Sequence, residues 1–297
     1  MIEYDSRSWL SIVFRLRGSV LPRLLPRILM TMAVGAFASW AYAEHKFRVS
    51  PLAHTLIGAA LGLLLVFRTN ASYDRFWEGR KLMGAIVNRS RDLARQVATY
   101  VDDPPLQRDL RRQIVAMVAL INQILRHETD LTALGDRLTE AERQRLAGLK
   151  PRHIVVARWI GSRLRQLADS GKLTEIRLQL MDANLTSLID SLGGAERIMK
   201  TPVPFAYAQH IKTFVLLFCF TVPFAMAEAA RWYTPVASGL LAFALFGIEE
   251  IGIEIEDPFG YDANDLPLDA ILSTIEANTA QVIEDAGKGT AEESETS

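Results

Sequence analysis

The feature of this sequence that most constrains its fold is a proline-free segment, residues 53–101. Its first part is apolar, whereas from VFRTNASYDRFWEGR (residues 66–80) onward it carries charged side chains at almost every helical turn. A helix rises about 1.5 Å per residue, so this one would extend roughly 70 Å, more than twice the hydrocarbon thickness of a bilayer. The segment therefore predicts one helix that begins in lipid and continues into water, ending before the DDPP turn at residues 102–105.

Four apolar runs, each nearly free of charge, predict membrane helices. Apolar residues make up 49% of the 297 residues while 23% are charged, so the apolar residues must be segregated along the chain. The runs span residues 28–43, 49–67, 213–227 and 232–248. Because they are somewhat shorter than the roughly 20 residues that cross a bilayer, helices buried in a soluble core are the alternative.

The distribution of Arg and Lys predicts the orientation in the membrane. Residues 1–27 contain five arginines. The short connection 44–50 contains one Lys and one Arg, and the connection 228–233 contains a single Arg. Basic segments stay in the cytoplasm, so the N-terminus, the block after residue 67 and the C-terminus should all be cytoplasmic. The formal net charge of −1 argues against a nucleic-acid partner.

These patterns divide the chain into six segments. The central block is predicted to be helical at residues 106–127, 139–149, 151–168 and 173–199, with a capping box formed by Thr139 and Glu142. The predicted organisation is a cytoplasmic amphipathic N-terminal segment (1–27), the first two membrane helices (28–67), a helical cytoplasmic domain (68–200), the third and fourth membrane helices (201–252), an acidic cytoplasmic segment (253–284) and a disordered tail (285–297).

A narrow apolar stripe occurs on the second apolar run. Ala59, Leu63 and Phe67 recur at i, i+4 and i+8, beside Gly58 and Gly62 at a spacing that lets helices approach closely. Two interpretations are open. The stripe either packs against another helix in the ordinary way, or several copies of the helix surround an axis where Leu63 and Phe67 close a water path by dewetting.

The segment after the fourth run is acidic. Asp257, Asp262 and Asp265 provide the hard oxygen ligands that Ca²⁺ prefers, but the glycine and final Glu of an EF-hand loop are absent from their required positions, and a solvated acidic turn is the alternative. Glu249 and Glu250 lie where a helix end should meet the interface, so we expect solvent around them. A membrane enzyme could use these carboxylates, but the sequence contains no nucleophile with a plausible base, and we predict that the chain is not an enzyme.

Three blocks of sequence resemble the bestrophin family of ion channels, in its bacterial form. They are FRTNASYDRFWEGRKLMG at residues 67–84, TPVPFAY at 201–207 and DPFG at 257–260, in that order along nearly the whole chain. The resemblance implies an all-α homopentamer, with four membrane helices per subunit, in the bacterial inner membrane. Its partners would be identical subunits, membrane lipid and permeating small ions.

The resemblance also implies particular site residues. The second membrane helix of each subunit would line a central pore, and the family's three-residue hydrophobic neck falls on Ala59, Leu63 and Phe67. Ala59 is smaller than the residue common in the family, so the resemblance here implies a neck formed by two rings and not three. A cytoplasmic constriction falls at Ile176, and the Ca²⁺ ligands of the animal members fall on Asp257, Asp262 and Asp265, although Tyr261 stands where a further carboxylate is expected. No cofactor is required.

The resemblance implies a passive channel for chloride and other anions, with sodium selectivity as the alternative because one bacterial type favours that ion. A secondary transporter is the competing class. A transporter would need broken helices near the bilayer midplane and usually an internal repeat. Pro223 is the only sign of a broken helix in the sequence, which shows no internal repeat.

Overall fold

A computed structural model describes residues 5, 7–47 and 49–295, with the backbone alone for residues 287–295. All regular structure in these residues is helical. The chain forms two compact units, which are named here after the locations that the sequence predicts for them: the membrane unit, Met1–Trp77 with Thr201–Asp265, and the cytoplasmic unit, Glu78–Lys200 with Leu266–Ser297.

The membrane unit is built around four long helices. It contains α1 (Trp9–Val13), α2 (Leu21–His45), the first part of α3 (Pro51–Tyr100), α8 (Phe205–Ala230) and α9 (Thr234–Glu254). Helix α2 packs against both α8 and α9. Two glycines permit the close approach of α2 and α9: a Cβ at Gly35 would lie 2.9 Å from the Cα of Pro235, and one at Gly239 would lie 2.7 Å from the Cγ of Met32.

Three helical stretches of the described residues are long and apolar enough to cross a membrane: Leu21–His45, Pro51–Tyr100 and Phe205–Glu254. The third stretch is two helices, α8 and α9, because a short 3-10 turn at Arg231–Tyr233 separates them and Arg231 adopts a positive φ of 48°. The four apolar runs of the sequence therefore fall in α2, α3, α8 and α9. Helix α2 begins at Leu21, with Pro22 in its first turn, so it starts earlier than the predicted first span.

Helix α3 is the predicted continuous helix. It runs from Pro51 to Tyr100 as 50 uninterrupted helical residues, beginning in the membrane unit and ending in the cytoplasmic unit. Since residues 66–80 contain no proline and their only glycine is Gly79, nothing in the local sequence opposes helix across the change in polarity. The prediction of a helix over residues 53–101 is confirmed.

The cytoplasmic unit contains the remainder of α3 and five further α-helices. These are α4 (Pro104–Leu125), α5 (Glu140–Leu146), α6 (Arg152–Asp169), α7 (Glu175–Lys200) and α10 (Leu268–Glu295), with a 3-10 segment at Leu131–Arg137. Helix α4 packs against three other helices of this unit, α6, α7 and α10. The capping box of Thr139 and Glu142 is present, as predicted.

The C-terminal region differs from the prediction of a disordered tail over residues 285–297. Helix α10 continues to Glu295, and the last two residues lie outside the described part of the chain. No proline follows Pro267, so nothing in the local sequence breaks the helix, although the polar composition and two glycines had indicated disorder.

Candidate pore-lining face and its anchors

The membrane part of α3 has two faces of different character. Leu61, Leu65, Arg68 and Ser72 are buried, whereas Leu63 and Phe67 are 57% and 56% exposed. At about 100° per residue the buried stripe and the exposed stripe lie on roughly opposite sides of the helix. Ala59, the third predicted neck residue, is exposed on the same side as Leu63 and Phe67. The subunit therefore leaves all three side chains of the predicted neck available to something outside itself.

The buried face of α3 packs against α8. Leu61 and Leu65 share a hydrophobic cluster with Val215, Phe218 and Cys219, among other residues. A Cβ at Gly58 would lie 3.0 Å from the Phe218 ring, so the absence of a side chain lets the two helices approach closely. Gly62 has no neighbour within 4 Å of such a Cβ, so its side of the helix is open within the described chain.

A buried charge lies immediately after the neck. Arg68 is 2% exposed, and its Nη2 donates to Oε2 of Glu256, just beyond the end of α9. The other oxygen of Glu256, Oε1, accepts the backbone N–H of Val203 at 2.9 Å. Arg75, two turns further along α3, donates from Nε to the backbone carbonyl of Glu256 at 3.0 Å. Glu256, just beyond the end of α9, therefore binds two other parts of the membrane unit. It contacts α3 through Arg68 and Arg75, and the segment before α8 through Val203.

Local sequence patterns do not predict this set of contacts, although the sequence contains one signal of it. An arginine directly follows an apolar run, and burial of an arginine is rare without a carboxylate partner. The partner lies 188 residues away in the sequence, where local periodicity gives no indication of it.

The expectation that solvent surrounds Glu249 and Glu250 is wrong. Both residues are buried. Glu250 accepts from Nη1 of Arg27 at 2.9 Å, and Glu249 lies 3.8 Å from Nζ of Lys212. Their partners come from α2 and α8, so basic residues on neighbouring helices offset the cost of burying the two carboxylates. The pairing gives these residues a structural role.

Each of the three carboxylates of the acidic segment, at Asp257, Asp262 and Asp265, accepts a hydrogen bond from a protein group. Asp262 pairs with Arg23 at 3.1 Å, while Oδ2 of Asp265 accepts the backbone N–H of Asp262 at 2.7 Å. Burial raises the pKa of the Asp265 carboxyl to about 6; the backbone hydrogen bond from Asp262 opposes this rise, and the charges of Asp262 and Asp257 add to it. Nowhere in the described residues do three or more His, Cys, Asp or Glu side chains come together as metal ligands.

Ile176, the predicted cytoplasmic constriction, lies near the start of α7. Its side chain is 73% exposed. It borders a groove of about 920 Å³ between α6 and α7, which also includes Ile154, Leu185 and Ile189. Like the neck residues, it is presented outward by the subunit.

Together the four apolar helices and the exposed apolar face of α3 define an all-helical membrane protein. A family model described as "Bacterial/Fungal Bestrophin protein" matches residues 1–281. The chain is 42% identical over 279 residues to a voltage-dependent anion channel-forming protein of Nostoc sp., covering 92% of this chain and 91% of that relative. A protein of the same description from Synechocystis sp. is 38% identical, with 94% and 92% covered.

Solved structures agree with these sequence comparisons. The fold matches the crystal structure of a bacterial bestrophin homolog from Klebsiella pneumoniae with a TM-score of 0.84 and 31% identity, covering 88% of this chain and 98% of that chain. This protein belongs to the bacterial and fungal bestrophin family, and the family predicted from residues 67–84, 201–207 and 257–260 is confirmed.

Proposed function

We propose that this protein is a passive anion channel: a homopentamer in the bacterial inner membrane, closed by a hydrophobic neck of Leu63 and Phe67 with Ala59 one turn before them. The observation that carries the proposal is the exposure of these three side chains on the face of α3 opposite its packed face. The curated relatives described as anion channel-forming proteins support anion permeation.

The neck would act by excluding water. An ion that enters a narrow apolar constriction loses hydration and gains no polar contact, so the closed state presents an energy barrier without any bound ligand. Rings of Leu63 and Phe67 from several copies supply such a surface, whereas Ala59 contributes little bulk. Ile176, exposed on α7, would form a second apolar ring in the cytoplasmic unit. No cofactor has a role in this mechanism.

Each of the helices α2, α3, α8 and α9 would cross the membrane, with both termini in the cytoplasm. The five arginines before residue 28 support this orientation. A secondary transporter is less well supported, because α3 is uninterrupted and such transporters use broken helices at the substrate site.

Chloride efflux from liposomes containing the purified protein tests the proposal. Replacing Leu63 and Phe67 together by alanine should raise the efflux roughly tenfold, which corresponds to removal of about 1.4 kcal/mol of barrier. Leu240→Ala is the matched control, because Leu240 is exposed on α9 and lies outside the neck. An unchanged efflux in the double variant would remove these two residues from the gate.

Two further measurements on the same preparation test ion choice and assembly. In an asymmetric NaCl gradient, a reversal potential near that of chloride supports the anion channel, whereas one near that of sodium identifies a cation channel. Saturable uptake coupled to a second ion would identify a transporter. Native mass spectrometry should give the mass of five chains.

A further inference from the structure

We propose that Arg68 and Glu256 are positioning residues for the neck: their ion pair fixes the rotation of α3 and thereby the direction in which Phe67 points. This inference rests on the proposed neck and adds the part of the subunit that holds it closed.

The burial of Arg68 restricts the positions that its side chain can occupy. A guanidinium stays charged at any accessible pH, so removing it from water is costly unless a carboxylate lies at the correct distance. Glu256 provides this carboxylate, while Nη1 of Arg68 is buried with no hydrogen-bond partner among the described residues. A rotation of α3 that separated the pair would therefore leave a charge buried without compensation.

Two arginines of α3, Arg68 and Arg75, both bind Glu256 and act as its anchors. Arg75 follows Arg68 by seven residues and lies on nearly the same face of the helix. It donates to the carbonyl of Glu256 and also, from Nη1, to the carbonyl of Thr201 at 2.5 Å. Gly252 of α9 lies alongside, where an added Cβ would be 3.7 Å from Cγ of Arg68. Contacts at two levels of one helix resist rotation more strongly than a single contact would.

The anchors and the neck are coupled because Phe67 and Arg68 are adjacent. Their side chains leave the helix about 100° apart, so the setting of one determines the setting of the other. With a side-chain radius of about 6 Å, a rotation of roughly 30° would displace the Phe67 ring by about 3 Å. This displacement is comparable to the size of a water molecule, and an apolar ring that opens by that amount can admit water.

A double-mutant cycle in the chloride-efflux assay tests the inference. Glu256→Gln keeps the size of the side chain and an oxygen for the N–H of Val203, but removes the charge. We expect it to raise basal efflux about threefold or more, and Arg68→Lys, which keeps the charge but loses the planar fork, to act in the same direction. In a background in which Leu63 and Phe67 are both alanine, both substitutions should have little further effect, because the rings that they misplace are absent.

Glu250→Gln is the matched control. Glu250 is also buried near the end of α9 and also pairs with an arginine, but that arginine is Arg27 of α2. The Glu250→Gln substitution should lower the melting temperature without changing efflux. It therefore shows what a substitution does when it affects only the stability of the fold.

Efflux unchanged by Glu256→Gln while Phe67→Ala raises it would overturn the positioning role and leave the channel proposal intact. An equal increase in the wild type and in the background with Leu63 and Phe67 both replaced by alanine would also overturn it. If neither the wild type nor Phe67→Ala conducts, the proposed function fails, and the positioning role fails with it. Should Glu256→Gln not yield folded protein, Arg68→Lys provides the same comparison.

Discussion

The two halves of α3 bury the same kind of surface and expose opposite kinds. The membrane half buries Leu61 and Leu65, and the cytoplasmic half buries Met83, Ile86, Leu93 and Val97. The exposed residues include Leu56, Leu63, Val66 and Phe67 in the membrane half but Arg80, Lys81, Arg91 and Arg95 in the cytoplasmic half. A helix can therefore pass from one solvent to another without a break, because its packed face keeps one periodicity while only its exposed face changes.

The strongest test of this comparison places a charge on the packed face of each half. Leu61→Asp and Leu93→Asp each put an unpaired carboxylate at a fully buried position, and we expect each to cost more than about 4 kcal/mol. Neither variant should give a monodisperse peak in size-exclusion chromatography. Arg91→Asp, on the exposed face of the cytoplasmic half, should behave as the wild type. If only one of the leucine variants fails, the two halves do not depend equally on their packed faces.

A smaller effect is expected at Glu142, where the cytoplasmic unit uses a carboxylate that water partly reaches. Burial raises its pKa, but hydrogen bonds from Arg112, Gln113 and the backbone of Thr139 lower the pKa of Glu142 to about 2. The ionised form is therefore favoured in the folded state. Its contribution is fully present above the ordinary value of about 4.5 and is lost as the pH falls towards 2.

Glu142→Gln should thus lower the free energy of unfolding at pH 7 by roughly 1–3 kcal/mol. Glu140→Gln, two residues earlier, is the control because Glu140 is exposed and pairs with Arg143 within one helical turn. It should cost less than about 0.5 kcal/mol. Chemical denaturation would measure both variants, and equal losses would contradict the role assigned to the Glu142 network.

The smallest predicted effect is a pH dependence from His153. This residue is buried on α6, and burial lowers its pKa, with Glu196 opposing and Lys200 reinforcing the change. The unfolded chain therefore binds the proton more readily than the folded chain. Stability should be full above about pH 6.5 and should decrease as the pH falls below that value.

Melting temperatures measured from pH 7.5 to pH 5.5 would reveal this dependence. His153→Gln should reduce the decrease below pH 6.5, since glutamine does not titrate in this range. His127→Gln, at an exposed position, should leave the shape of the profile unchanged. An identical profile in wild type and His153→Gln would show that other groups determine the acid response.

The sequence contains enough local information to predict the helices and the exposed stripe. Residues 53–101 carry the continuous pattern of α3, and Thr139 and Glu142 form the cap of α5 as their spacing indicates. The prediction of where α2 starts is less accurate. Arginine and proline at residues 22–27 interrupt the apolar pattern, but the helix begins at Leu21.

The ion pairs could not be predicted, because their partners are remote in sequence. The sequence predicts that Glu250 is solvated at a helix end, yet it pairs inside the membrane unit with Arg27, which is 223 positions away. Arg68 and Glu256 are similarly remote. Periodicity identifies which face of a helix is apolar, but it does not reveal which charged residue another helix will bring.

Thiol accessibility tests the central claim, that Leu63 and Phe67 face a shared water path, most directly. The chain has a single cysteine, Cys219, which is fully buried, so the wild type provides a background of low reactivity. Leu63→Cys and Phe67→Cys should react with a charged, water-soluble thiol reagent, and the reaction should block chloride efflux, whereas Leu240→Cys should not react. Failure of both neck cysteines to react with this reagent, while a lipid-soluble reagent modifies them, would place them against lipid and contradict the account.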